Sequence, residues 1–91
     1  MANPATITVE FYGIPRHRAG RRELTLPAGT VEAVLDGIEN TCPGLRGLRD
    51  RHGRLAGHYL LSIDGQSFVE GLDTELTAGQ RLLVLSADAG G

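Results

Sequence analysis

The first apolar pattern along the chain alternates with period two over residues 6–12. Alternation of β-branched and aromatic residues with polar ones predicts a half-buried strand. Residues 13–20 combine glycine, proline and basic side chains, which favours a turn or loop. Residues 23–26 predict a second strand, so the two strands are expected to form a hairpin. The apolar members of the first strand are Ile7, Val9 and Phe11.

A second pattern has the period of an α-helix. Thr30 is suited to cap a helix N-terminus through its side-chain oxygen, and the helix dipole favours Glu32 in the first turn. Pro43 disfavours helical geometry at the residue before it, so the helix is expected to end near Cys42. The apolar residues recur at i, i+3, i+4 and i+7 and predict a core-facing stripe: Val31, Val34, Leu35 and Ile38.

The second half of the chain predicts mainly strands. Residues 45–57 are irregular, with a short helical turn expected around 45–51. A strand at 58–63 runs into Asp64-Gly65, a strong signal for a hairpin turn. The return strand is then expected at 66–69.

The last predicted strand, residues 81–85, follows turn chemistry at 76–80 and is apolar on both faces. That composition is typical of a strand buried on both sides or covered by a partner. The element order β-β-α-β-β-β predicts an α+β roll, with a mixed sheet of about five strands packed on one main helix. We expect this domain to cover 1–85 and a flexible C-terminal tail to cover 86–91.

Composition limits the class of protein. Ninety-one residues make one domain, and the net charge of −2 argues against nucleic acid as the main partner. No apolar run approaches a membrane span, and residues 1–4 do not resemble a secretory signal. A single cysteine cannot form an internal disulfide. We therefore expect a cytoplasmic protein that binds neither nucleic acid nor membrane.

The basic residues are distributed unevenly. All nine are arginine, and eight of them lie between Arg16 and Arg54. The segments 16–22 and 46–54 either contact an acidic partner or are solvated surface without a specific role, and the second interpretation is favoured. Because there is no lysine, the chain cannot accept an isopeptide bond on a side chain.

Few residues offer chemistry of their own. The three histidines are too dispersed for a metal site, and Cys42 is typical of a small buried hydrophobe. No acid–base or nucleophile constellation emerges, so we expect no enzyme. The chain ends in Gly90-Gly91. Glycine lacks a Cβ, so such an end suits a carboxylate that enters another protein's narrow active site, although a frayed terminus is the alternative.

Five features taken together point to a known family: the strand Ile7–Phe11, the helix start Thr30-Val31-Glu32, the turn Ile63-Asp64-Gly65, the segment Leu72–Gln80, and the end Ala89-Gly90-Gly91. In these features the chain resembles the ThiS/MoaD sulfur-carrier family, which has a ubiquitin-like β-grasp fold. The sequence differs at residues 86–88, where the family often has Pro-Pro or Leu-Pro, and at Gln80, where it usually has an acid.

The resemblance implies that Gly91, together with Gly90, is the reactive end. A ubiquitin-activating-type enzyme adenylates its carboxylate with ATP, a sulfur donor protein converts it to a thiocarboxylate, and an acceptor synthase takes the sulfur. The chain is then a carrier, or the small subunit of a sulfur-transferring synthase, with no cofactor or metal of its own. The molybdopterin or cysteine branch is favoured by the length of segment 42–57, with thiamine or a dedicated thio-metabolite open.

A partner surface is expected near the root of the tail. The leucines of neighbouring strands point outward there, unless they pack under segment 42–57, and the extended tail can pair along a partner strand. Two other functions stay open: a protein modifier joined through Gly91, and a plain interaction module. The expected partner-binding residues are Tyr12, Leu60, Leu83, Leu85, Ala87, Asp88 and Ala89.

Overall fold

The computed structural model describes residues 5–87, which form two sheets and two α-helices. The helices are α1 (Ile14–Ala19) and α2 (Val31–Thr41), and a 3₁₀ turn follows at Pro43–Leu45. The strands are β1 (Thr6–Phe11), β2 (Glu23–Pro27), β3 (Gly29–Thr30), β4 (Tyr59–Ile63), β5 (Ser67–Phe68), β6 (Glu75–Leu76) and β7 (Arg81–Ser86).

The main sheet has the strand order β2-β1-β7-β4-β5. The central strands β1 and β7 run parallel, whereas the other neighbours are antiparallel. The predicted α+β fold, a mixed five-stranded sheet with one main helix, is confirmed. The hairpin predicted from the first two strands is also an antiparallel pair, with Val9 opposite Leu24.

The main helix begins and ends where the sequence predicts. The Thr30 side-chain oxygen accepts a hydrogen bond from the Ala33 backbone nitrogen at 3.1 Å, which satisfies a donor that the first turn leaves free. Cys42 ends the helix in an extended conformation before Pro43. The predicted stripe of α2 is buried against the apolar face of β1: Val31, Val34, Leu35 and Ile38 against Ile7, Val9 and Phe11.

The turn or loop predicted at residues 13–20 is wrong, because these residues form α1. Pro15 lies in the first turn, where its missing N–H costs nothing. Gly20 adopts φ 72° and its nitrogen donates to the Arg16 carbonyl oxygen at 3.0 Å, so it caps the C-terminus. Proline and glycine indicate helix ends as well as loops, and six residues are too few for a helical period to distinguish the two.

Two further strands, β3 and β6, pair as a small separate sheet that the sequence analysis missed. Strands of two residues carry no periodicity. Leu76 is buried at the end of β6, so the turn predicted at 76–80 begins one residue later, at Thr77. The Thr77 carbonyl oxygen accepts a hydrogen bond from the Gln80 nitrogen at 3.1 Å. The predicted turn at Asp64-Gly65 has φ 56° and 71°, and β5 is its return strand.

The irregular segment 43–57 lies against α2. The helical turn expected around 45–51 is wrong: a 3₁₀ turn lies earlier, at Pro43–Leu45, and Arg49 instead forms a β-bridge with Leu55. Leu45 and Leu48 are fully buried in the core. The guanidinium of Arg49 forms an ion pair with Asp36 of α2, which attaches the segment to the helix.

Candidate functional site

The strand that leads toward Gly-Gly is held on both sides. β7 lies between β1 and β4, with Val84 beside Phe11 on one side and Leu61 on the other. Ser86 is still paired with Tyr59, and the Ala87 nitrogen donates to the His58 carbonyl oxygen at 2.9 Å. The sheet therefore anchors the chain as far as Ala87, a predicted partner-binding residue.

The predicted reactive residues Gly90 and Gly91 lie outside the described residues. The same is true of Asp88 and Ala89, which are predicted to contact a partner. The structure locates the root of this segment, at the end of β7. The roles assigned to its four residues stay predictions.

The helix α1 lies across the end of β7. Because β1 and β7 are parallel, both end at the same edge of the sheet, which we call the exit edge. On the β1 side, Arg16 Nε donates to the Phe11 carbonyl oxygen at 2.9 Å. On the β4 side, Arg18 Nη1 donates to the Tyr59 hydroxyl at 3.3 Å. Arginines of α1 thus flank the place where the chain leaves the sheet.

The three predicted partner-binding leucines lie together on the sheet face that points away from α2. Leu60 is directly opposite Leu85, and Leu83 lies two residues before Leu85 on the same face. Leu60 is 41% exposed, and the other two are half-buried. Segment 43–57 contacts α2 on the other side of the sheet and leaves this face open. Their role in binding stays a prediction.

Phe68 belongs to this surface and was missed by the sequence analysis. It is 64% exposed and lies opposite Ser62, which shares a face with Leu60. The Asp64-Gly65 turn predicted the hairpin, but the register that decides which face Phe68 takes was not predicted. We call these four side chains the outer apolar patch: Leu60, Phe68, Leu83 and Leu85.

Tyr12 borders the outer apolar patch and begins a charged part of the same face. Its hydroxyl donates to Glu10 Oε1 at 2.9 Å, and this hydrogen bond raises the pKa of the phenol. The Arg16 guanidinium carbon lies 5.3 Å from the Tyr12 ring centroid, within cation–π range. Glu10 also pairs with Arg81. Tyr12 and Glu10 line an open depression together with Arg16, Arg22 and Glu23.

The remaining candidate chemistry is sparse over residues 5–87. Cys42 is buried, and its desolvation raises the pKa of the thiol. In this range, no three histidine, cysteine or acidic side chains lie close enough together to hold a metal ion. None of the described helices has the length and apolar character needed to cross a bilayer.

No family model matches the chain, and no curated protein sequence matches it. Solved structures do match. Small archaeal modifier protein 1 (SAMP1) from Methanosarcina acetivorans is 26% identical, with a TM-score of 0.80 over 99% of this chain and 100% of that one. A chain of the Amycolatopsis orientalis BexX/CysO complex is 25% identical, with a TM-score of 0.78 over 93% and 99%.

A putative molybdopterin converting factor subunit 1 from Pyrococcus furiosus is 20% identical, with a TM-score of 0.69 over 90% of this chain and 97% of that one. These three structures share the topology described above along nearly their whole length. The chain therefore has the ubiquitin-like β-grasp fold of the ThiS/MoaD-type sulfur carriers.

Proposed function

We propose that the chain is a sulfur carrier whose Gly91 carboxylate is adenylated by a partner enzyme and then converted to a thiocarboxylate. The observation that carries this proposal is the position of β7. The strand before Gly-Gly lies in the middle of the sheet, and hydrogen bonds hold it as far as Ala87. The fold therefore presents a glycine end from a fixed point.

The chemistry requires activation by another protein. An α-carboxyl titrates near about 3.5, so Gly91 is a carboxylate at neutral pH and a poor acyl donor. Its oxygen attacks the α-phosphate of ATP, and pyrophosphate leaves. The terminal sulfur of a persulfide on a donor protein then attacks the carbonyl carbon of the acyl adenylate, and AMP leaves. A thiol next attacks the donor's own sulfur, forms a disulfide with it, and releases the carrier with sulfur in place of one carboxylate oxygen. The carrier supplies the acyl group, and the partner supplies the ATP site.

The length of the segment after β7 supports insertion into a partner. The four residues that follow Ala87 reach at most about 14 Å when extended. The reacting carbonyl must therefore lie within that distance of the sheet, and the partner's surface must contact the surroundings of the exit edge. Because Gly90 and Gly91 lack a Cβ, their backbone can enter a channel of the partner that is too narrow for other residues.

The outer apolar patch is the proposed docking surface. It combines an exposed phenylalanine with three leucines, and exposed apolar clusters of this kind commonly mark protein interfaces. Changing Leu60 and Phe68 to serine is expected to weaken binding of the partner while leaving the fold intact, because both side chains are exposed. Unchanged affinity for the activating enzyme would exclude this face as the docking surface.

The test of the carrier function is the mass of the C-terminal peptide. Protein isolated with its native partners is expected to carry sulfur in place of one oxygen at Gly91. Oxidation of Met1 or Cys42 gives nearly the same mass change, so fragmentation must place the change at the C-terminus. A chain lacking Gly91 is the control, and continued sulfur transfer by it would refute the proposal, as would a native C-terminus other than Gly91.

A protein modifier is the second candidate, and one comparison favours it specifically. The M. acetivorans structure with 26% identity is of a protein named a modifier. A modifier would join target lysines through Gly91, and since this chain has no lysine, each site would receive a single unit. Isopeptide-linked Gly-Gly remnants on other proteins in cell extracts would support this function, whereas a thiocarboxylate without such remnants would support the carrier.

A further inference from the structure

A group of arginines lies at the exit edge. Residues 11–22 contain four arginines and no acidic residue, although the net charge of the whole chain is −2. These residues comprise the end of β1, α1 and the turn into β2. We call the four side chains the exit arginines: Arg16, Arg18, Arg21 and Arg22.

Two of the exit arginines are positioned by the fold itself. Arg16 donates to the Phe11 carbonyl oxygen, and Arg18 donates to the Tyr59 hydroxyl. Within residues 5–87, neither Arg21 nor Arg22 forms a salt bridge, and both are exposed. Arg22 lies opposite the end of β1, because its carbonyl oxygen accepts from the Phe11 nitrogen at 2.9 Å. Arg22 shares an open depression with Glu10 and Glu23, but neither guanidinium is held in an ion pair by a described residue, so both can bind a carboxylate from outside.

The second arginine-rich segment has a different position. Arg49 forms ion pairs with Glu32 and Asp36, in the first two turns of α2. β2 runs antiparallel to β1, so α2 begins near the sheet edge opposite the exit edge. Arg51 and Arg54 lie in the turn next to Arg49. Their side chains are exposed like those of Arg21 and Arg22, but the turn that carries them is attached to α2 through Arg49 and is not part of α1 or of the end of β1.

We propose that the exit arginines bind a carboxylate-rich rim around the active site of the enzyme that adenylates Gly91. This inference rests on the proposed carrier function. The four residues after Ala87 reach only about 14 Å, so the rim of that active site must contact the exit edge. The helix α1 forms the surface of the carrier at that edge. Arginine suits such a contact because its planar guanidinium binds a carboxylate with two hydrogen bonds.

The contact also has a kinetic consequence. Charges at the rim of an interface mainly raise the association rate and make it salt-dependent. Attraction at the exit edge brings the Gly-Gly segment to the mouth of the active site, while the outer apolar patch holds the complex. The exit arginines therefore determine how efficiently the carrier is loaded, and the chemical step itself does not depend on them.

The test compares two double variants in ATP–pyrophosphate exchange with the native adenylating enzyme. Arg21→Gln with Arg22→Gln is expected to raise the KM for the carrier about 3- to 10-fold, the effect of two exposed ion pairs, with kcat unchanged. Added salt is expected to raise the KM of the wild type more than that of this variant. The matched control, Arg51→Gln with Arg54→Gln, is expected to keep the wild-type KM.

The outcomes separate this inference from the carrier function. If the wild type supports no exchange, the proposed function fails. If the wild type supports exchange and both double variants have its KM, the exit arginines do not bind the enzyme and this inference is wrong. Loss of binding to duplex RNA by Arg21→Gln with Arg22→Gln, at an unchanged KM, would assign the surface to nucleic acid and also overturn it. Equal thermal midpoints show that all variants are folded.

Discussion

Gly44 allows the closest backbone approach between two segments that are distant in sequence. A Cβ at this position would lie 2.0 Å from the Arg18 carbonyl oxygen and 3.0 Å from its carbonyl carbon. These are backbone atoms of α1, so they cannot rotate away as a flexible side chain would. Gly44→Ala must therefore move α1 away from the 3₁₀ turn at Pro43–Leu45, although Gly44 itself is exposed.

The expected cost is that of an overpacked contact, about 1–3 kcal/mol of unfolding free energy. For a domain of this size, each kcal/mol corresponds to a shift of about 4–8 °C in Tm, so the midpoint is expected to fall by roughly 5–20 °C. Gly57→Ala is the matched control in the same irregular segment. No atom lies within 4 Å of a Cβ built there, so the reduced freedom of the unfolded chain is expected to stabilise it slightly.

Thermal and urea denaturation of the two variants and the wild type provide the measurement. Gly44→Ala is expected to have a lower midpoint than the wild type, with the same slope in urea, because the surface exposed on unfolding does not change. If Gly44→Ala is as stable as Gly57→Ala, α1 does not pack on the 3₁₀ turn as described. The placement of the exit arginines would then need revision as well.

Three further predictions concern the rest of the domain. Thr30→Ala removes the cap of α2 and is expected to cost about 1 kcal/mol, measured by urea denaturation, with Thr41→Ala at the other end as its control. Cys42 is buried, so alkylation of the native protein is expected to be far slower than in denaturant; equal rates would contradict its burial. Hydrogen bonds from the backbone N–H groups of Arg54 and His52 lower the pKa of Asp50. The ionised Asp50 therefore stabilises the fold above the unfolded pKa of about 3.9, and this stabilisation is lost as pH falls through the folded pKa. Asp50→Asn should remove this part of the acid dependence, which a urea series against pH measures.

Much of the fold was predictable because long elements carry a period. The alternation in β1 and the stripe of α2 each identify a buried face from one sequence. Elements without a period were missed: α1 is six residues long, and β3 and β6 have two residues each. Their formation depends on tertiary contacts, such as the pairing of Gly29 in β3 with Leu76 in β6.

The candidate site divides in the same way. The outward direction of Leu60, Leu83 and Leu85 follows from alternation within their strands, and the structure brings these residues together. Phe68 joins them only through the register of β5 on β4, which the turn signal alone does not determine. The carrier role of Gly91 rests on the sequence and its resemblance, and the mass of the C-terminal peptide tests it.

The sequence by itself determined the α+β class, the core stripe of α2, the terminal Gly-Gly and the absence of lysine, since each is a local pattern or a count. It also showed two arginine-rich segments and could not distinguish them. Only the tertiary structure separates them, because the parallel pairing of β1 with β7 brings α1 to the end of the strand before Gly-Gly. Contacts between residues some seventy positions apart are set by how the whole sheet buries its apolar face, so the function proposed for Arg21 and Arg22 depends on the fold.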